Sequence, residues 1–89
     1  MVAIQTKIEP EVCTYVDQED NLLTIEIVLP DVSKENIKLK VNARSLLLFA
    51  AAEKVNYAKY ISFYHPVIPD KVRATYEHGL LRITLPLRA

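Results

Sequence analysis

The sequence predicts an all-β domain, a two-sheet antiparallel β-sandwich, and three observations carry that prediction. From Val12 onward nearly every segment alternates apolar and polar residues with period two. No window of helical length, about eleven residues or more, holds a 3.6-residue apolar stripe. The single glycine, Gly79, lies between two alternating runs, Val72-Arg73-Ala74-Thr75-Tyr76 and Leu80-Leu81-Arg82-Ile83-Thr84-Leu85. His78-Gly79 therefore reads as a two-residue hairpin turn with φ > 0 at both positions, a conformation that glycine takes freely and histidine tolerates.

The elements follow in order. Residues 1–9 are of mixed polarity and read as a short arm ahead of Pro10, with the domain over residues 10–89. Val12 to Val16 forms a first strand. Turn chemistry from Asp17 to Asn21 precedes a second, in which Leu23, Ile25, Ile27 and Leu29 share one face. After Pro30 and the polar segment Asp31 to Asn36, Ile37, Leu39 and Val41 alternate with Lys38, Lys40 and Asn42. This is the cleanest half-buried strand of the chain. Leu46 to Ala52 is apolar on both faces, which predicts a strand central to the sandwich or covered by another subunit.

Aromatic and β-branched residues favour a further strand from about Tyr57 to Tyr64. Ala58, Tyr60, Ser62 and Tyr64 fall on one face, Tyr57, Lys59, Ile61 and Phe63 on the other. His65 to Asp70 contains two prolines, which donate no ladder hydrogen bonds, and reads as a connection. The hairpin around Gly79 completes six or seven strands in an immunoglobulin-like arrangement.

Composition excludes several functions. With one glycine the chain has no phosphate-cradling loop and no nucleophile elbow. Eleven basic and eleven acidic residues cancel, and the basic ones are scattered, so neither a nucleic acid nor a membrane is expected as a partner. Cys13 is alone, His65 and His78 sit at turns, and no Cys/His spacing suits zinc. The carboxylates Glu19, Asp20, Asp31 and Glu35 lack calcium-loop spacing. No metal, no cofactor and no catalytic residue is expected, and the chain is not read as an enzyme. The unpaired cysteine and the lack of a signal-peptide pattern point to a soluble cytoplasmic protein. At 89 residues, roughly 35–40% of the unfolded chain's surface stays exposed on folding, so a partner or second copy adds stability.

Two stretches resemble the α-crystallin domain of small heat-shock proteins. One is Ile27-Val28-Leu29-Pro30-Asp31-Val32-Ser33-Lys34-Glu35-Asn36-Ile37, similar to that family's Leu-Pro-Gly-Val segment and the Lys-Glu-Asp-Ile start of its next strand. The other is Pro69-Asp70-Lys71-Val72-Arg73-Ala74-x-Tyr76-x-x-Gly79-Leu80-Leu81-x-Ile83-x-Leu85-Pro86, which resembles its Ala-x-x-x-x-Gly-x-Leu signature. The resemblance runs from about Pro10 to Pro86. It implies a slot between the strand of Ile37 to Asn42 and that of Val72 to Tyr76, lined by Ile37, Leu39, Val41, Val72, Ala74 and Tyr76. In the family such a slot takes an Ile-x-Ile tail or client segments; the same apolar residues also suit ordinary core packing.

The chain departs from the family pattern in three ways. Asp31 replaces the glycine after Leu-Pro, which suggests a turn without positive φ. The arginine expected on the dimer-forming strand falls at Ser62 or Tyr64, leaving Tyr57, Tyr60, Ser62 and Tyr64 as candidates for a dimer interface without arginine ion pairs. The stretch from Ala52 to Tyr57 is too short for the long exchanged loop, and no Ile-x-Ile tail follows Pro86, so the chain resembles a minimal or trimmed core. The resemblance implies an ATP-independent holdase that binds non-native client proteins and forms a homodimer or stays monomeric. The alternative is an adaptor of the CS-domain type, which shares the sandwich and docks on one folded chaperone partner. The short middle loop and missing tail favour the adaptor; the Ala-to-Gly spacing and the Leu-Pro-x-Val segment favour the holdase.

Overall fold

A computed structural model describes residues 6–88. Eight strands form two four-stranded sheets. They are β1 (Thr6–Ile8), β2 (Val12–Asp17), β3 (Leu22–Val28), β4 (Val32–Val41), β5 (Ser45–Ala52), β6 (Val55–Ser62), β7 (Arg73–Glu77) and β8 (Leu80–Pro86). Sheet A has the order β1-β6-β5-β4 and sheet B the order β2-β3-β8-β7. Every pairing is antiparallel except β1 with β6.

The turns are made by the residues whose chemistry suits them. Asp17 Oδ1 accepts hydrogen bonds from the Glu19 and Asp20 amides at 3.0 and 3.2 Å, and Asn21 takes φ 52°. Asn42 Oδ1 likewise accepts from the Arg44 and Ser45 amides at 3.1 and 2.9 Å and so closes the β4–β5 hairpin. His78 (φ 52°) and Gly79 (φ 79°) both occupy the left-handed region, as a two-residue hairpin between β7 and β8 requires.

Alternation along the strands fills the space between the sheets. Ile25, Ile27, Leu81, Ile83 and Leu85 of sheet B face Leu46, Leu48, Ala50 and Tyr57 of sheet A, and all are buried. Leu29, Phe63 and Val67, from the connections, close the core at the ends of the sheets.

Three expectations need correction. The arm over residues 1–9 is in part a strand, because Thr6–Ile8 pairs with Val55–Tyr57; residues 1–5 lie outside the described residues. Three residues are too few to show a period, and their partner is distant in sequence. The strand after Pro30 begins at Val32 rather than Ile37, with a register shift between these two residues that breaks the alternation. Asp31 takes φ 60°, so the turn does require the left-handed region. Asp is tolerated there because its short polar side chain hydrogen-bonds locally in such conformations.

Candidate functional site

The two sheets are closed along one side and open along the other. Between β1 and β2 only Glu9, Pro10 and Glu11 intervene, so the chain steps from sheet A to sheet B and brings these two edges together. Pro10 is buried, and Glu9 meets Lys59 Nζ at 3.6 Å. Given the strand orders, β4 and β7 must then border the opposite side. Among the described residues, no strand pairs with the outer edge of either.

The inner faces of β4 and β7 carry the residues that the sequence assigned to the slot, except Val72, which lies just ahead of β7. Ile37, Leu39 and Val41 stand opposite Ala50, Leu48 and Leu46, all of them core residues. Ala74 and Tyr76 stand opposite the buried Ile83 and Leu81. Yet Ile37, Leu39, Val41, Val72 and Tyr76 are only half-buried, and Ala74 is exposed. Those on β4 and β7 point inward, and among the described residues no further strand covers them. Apolar side chains facing an interior and still reached by water define an unfilled edge of the core.

Tyr76 does more than line this side. Its hydroxyl donates to the Leu29 carbonyl at 2.6 Å, while the Leu29 amide donates to the Gly79 carbonyl at 2.7 Å. The two sequence signatures, Leu29-Pro30-Asp31 and Ala74 to Gly79, thus meet at one corner. Both backbone groups of the buried Leu29 are satisfied there, as burial requires. Tyr76 closes the slot at this end.

The dimer candidates separate. Tyr57 is 7% exposed and belongs to the core, because it faces inward opposite Ala50; it is unavailable to a partner. Tyr60 (60% exposed) and Ser62 lie on the outer face of sheet A, and Tyr64 (98% exposed) lies just beyond the strand.

Sequence reasoning named Tyr60 and Ser62 on the outer face of sheet A as dimer candidates, but did not join them to Phe49 and Leu47 of β5. There Phe49, 48% exposed, stands beside Ala58, and Leu47 beside Tyr60. The available signal was a strand apolar on both faces. The structure makes β5 a central strand whose outer face is left bare. Sheet B differs: Arg82 and Glu26 are direct cross-strand neighbours on its outer face, with Arg82 Nη2 and Nε at 2.6 and 2.9 Å from Glu26 Oε2. That hydrogen bond and the carboxylate's charge raise the Arg82 pKa above its ordinary value.

Among the described residues, no three His, Cys, Asp or Glu side chains gather as a metal site requires. No helix in the described residues is long and apolar enough to cross a membrane.

A family model of the CS domain matches residues 13–86. The chain belongs to the CS-domain family. No curated protein sequence matches it significantly. Solved structures of small heat-shock proteins superpose closely on this CS domain. Heat shock protein 16.0 from Schizosaccharomyces pombe matches with a TM-score of 0.77 at 17% identity, over 90% of this chain and 87% of that one. A variant of hsp14.1 from Sulfolobus gives 0.78 at 22% identity, over 93% and 75%. A small heat-shock protein from Xylella fastidiosa gives 0.76 at 17% identity, over 90% and 86%. The CS domain described here therefore has the α-crystallin-like fold of small heat-shock proteins.

Proposed function

We propose that the chain is an ATP-independent holdase that binds apolar, strand-like segments of partly unfolded proteins along the open side between β4 and β7 and so limits their aggregation. The observation that carries this reading is the partial exposure of inward-facing Ile37, Leu39 and Val41 on β4 and the exposure of inward-facing Ala74 on β7, with half-buried Val72 just ahead of β7, on two edge strands that are unpaired among the described residues. An incoming segment gains apolar burial and, from either strand edge, backbone hydrogen bonds. Inserting two aliphatic side chains gains about 3–6 kcal/mol, at about 1.5–3 kcal/mol each, before association costs. A single contact is therefore weak, and retention of a client depends on several acting together.

Binding of non-native chains by mass action needs no nucleotide, cofactor or reaction, so the protein acts without catalysis. We place it in the cytoplasm as a monomer or homodimer, with Ser62 and Tyr64, at and just beyond the C-terminal end of β6, as the dimer face. The test is suppression of heat-induced aggregation of several unrelated clients at stoichiometric amounts. No effect on any of them sinks the reading.

A second reading is the adaptor, favoured by the match of residues 13–86 to the CS domain. An adaptor recovers one native partner at a fixed stoichiometry in a pulldown, whereas a holdase recovers a heterogeneous set that grows after heat stress.

A further inference from the structure

We propose that the outer face of sheet A is a second docking site, separate from the open side, and that it takes an acidic segment of a partner protein with an apolar side chain at its centre. Three observations converge on it. The first is an apolar centre. On neighbouring strands, Ala58 pairs with Phe49 and Tyr60 with Leu47, and Phe49 and Tyr60 are 48% and 60% exposed. A large side chain seated on Phe49 meets a concavity of about 230 Å³ whose lining includes Ala51, Asn56 and Ala58.

The second is a one-signed rim. Lys38 stands beside Phe49 and Lys40 beside Leu47 on the β4 side, while Lys7 stands beside Asn56 on the β1 side. All three lysines are exposed, and none of the paired positions on this face, from Ile37 onward in β4 and along β1, β5 and β6, carries a carboxylate. Three strand spacings, roughly 14 Å, separate the two rims. That width accommodates one extended or helical segment with carboxylates on both flanks. The third is an unused acceptor. Asn56 Oδ1 is buried with no hydrogen-bond partner in the described structure, and Asn56 lines the concavity. Reaching it requires the Asn56 side chain to turn toward the concavity, where a docked backbone supplies amide donors of the kind it lacks.

Charge decides among occupants. A second copy stacked face to face sets lysine against lysine, because a two-fold interface uses the same patch twice. An anionic membrane surface calls for clusters of about four to eight basic residues, and the paired positions of this face carry three. Sheet B, with its Glu26–Arg82 pair, offers no comparable one-signed face.

The experiment is a fluorescence-anisotropy titration of the full chain with the blocked peptide Glu-Asp-Phe-Leu-Asp-Glu, and with a control in which lysines replace its four acids. The acidic peptide is expected to bind and the basic one not. Raising salt from roughly 50 to roughly 300 mM weakens binding about tenfold, since the Debye length falls to near contact distance. Lys38→Glu with Lys40→Glu reduces binding at least about tenfold, as does Phe49→Ser, whose half-exposed parent side chain lets the fold persist, as checked by circular dichroism. Ala74→Leu, at the open side, leaves the affinity unchanged, so failure here is distinguishable from failure of the holdase reading. Equal binding of acidic and basic peptides, or full binding by the lysine reversals, overturns the proposal. So does binding to phosphatidylserine vesicles in place of the peptide, or a dimer in solution that Phe49→Ser converts to a monomer.

Discussion

Ala74→Leu separates the open side from ordinary core packing, because the two predict opposite signs. Ala74 is exposed although it faces inward beside the buried Ile83. Leucine there adds three carbons, worth about 0.8 kcal/mol each if fully buried, so a half-covered side chain stabilises the fold by about 1 kcal/mol. For a domain of this size that raises Tm by about 4–8 °C. The same side chain fills the space that an aliphatic anchor of a bound segment needs. Losing one anchor removes about 1.5–3 kcal/mol of binding. At about 1.4 kcal/mol per tenfold, the affinity for a blocked peptide carrying Ile-x-Ile falls roughly 10- to 150-fold. Calorimetry of the peptide titration and thermal melts of the same samples check both halves. Unchanged affinity in a stabilised variant refutes the slot. A fall in Tm shows that Ala74 is packed against something, and refutes the exposure on which the reasoning rests.

Substitutions at three positions test the corner where the two signatures meet. Asp31→Gly relieves a left-handed residue at φ 60° and is expected to stabilise by about 0.5–1 kcal/mol, the relief of about 1–2 kcal/mol being offset in part by a more flexible unfolded chain; urea denaturation reads it. Gly79→Ala is expected to destabilise by about 1–2 kcal/mol. Its Cβ meets only ordinary contacts, 3.7 Å from Pro30 Cα and 3.8 Å from the Leu29 oxygen, so the cost is conformational, and Gly79→Asn should recover part of it. Tyr76→Phe leaves the buried Leu29 carbonyl without its donor and costs about 1–3 kcal/mol, seen as a lower denaturation midpoint at unchanged slope.

Strands β3 and β8 and the second half of β4 were legible because burial of one sheet face writes itself into the sequence with period two. The hairpin at His78-Gly79 was legible because few residues accept positive φ at adjacent positions. Asp31 was misread for the converse reason: aspartate takes that conformation often enough to hide it. β1 left no trace, since its three residues owe their conformation to a parallel partner some fifty positions away. The site was legible as a list of residues and not as a surface. Leu39 and Leu48 are the same residue type, paired across adjacent strands and pointing the same way, yet one is half-buried and the other fully buried. What separates them is that β4 is an edge and β5 is not, which is a property of strand order and not of local pattern.

On the proposed holdase reading, that edge position bears on how a small chain presents apolar surface to clients without flat edge-to-edge adhesion to its own copies. Ile37, Leu39 and Val41 are reached only from the side of the sandwich, whereas the outward positions of the same strand carry Lys38 and Lys40, and β7 carries Arg73 and Glu77. Charged side chains along an edge strand oppose the flat edge-to-edge approach of another folded copy. A single unfolded segment is narrower and can turn its apolar side chains into the recess while its backbone meets the strand edge. On this view the lysines of β4 serve two ends at once, guarding the edge against self-association and forming one rim of the outer-face site. Lys38→Ala with Lys40→Ala, which removes charge without reversing it, should then weaken acidic-peptide binding and also increase the chain's own aggregation on heating.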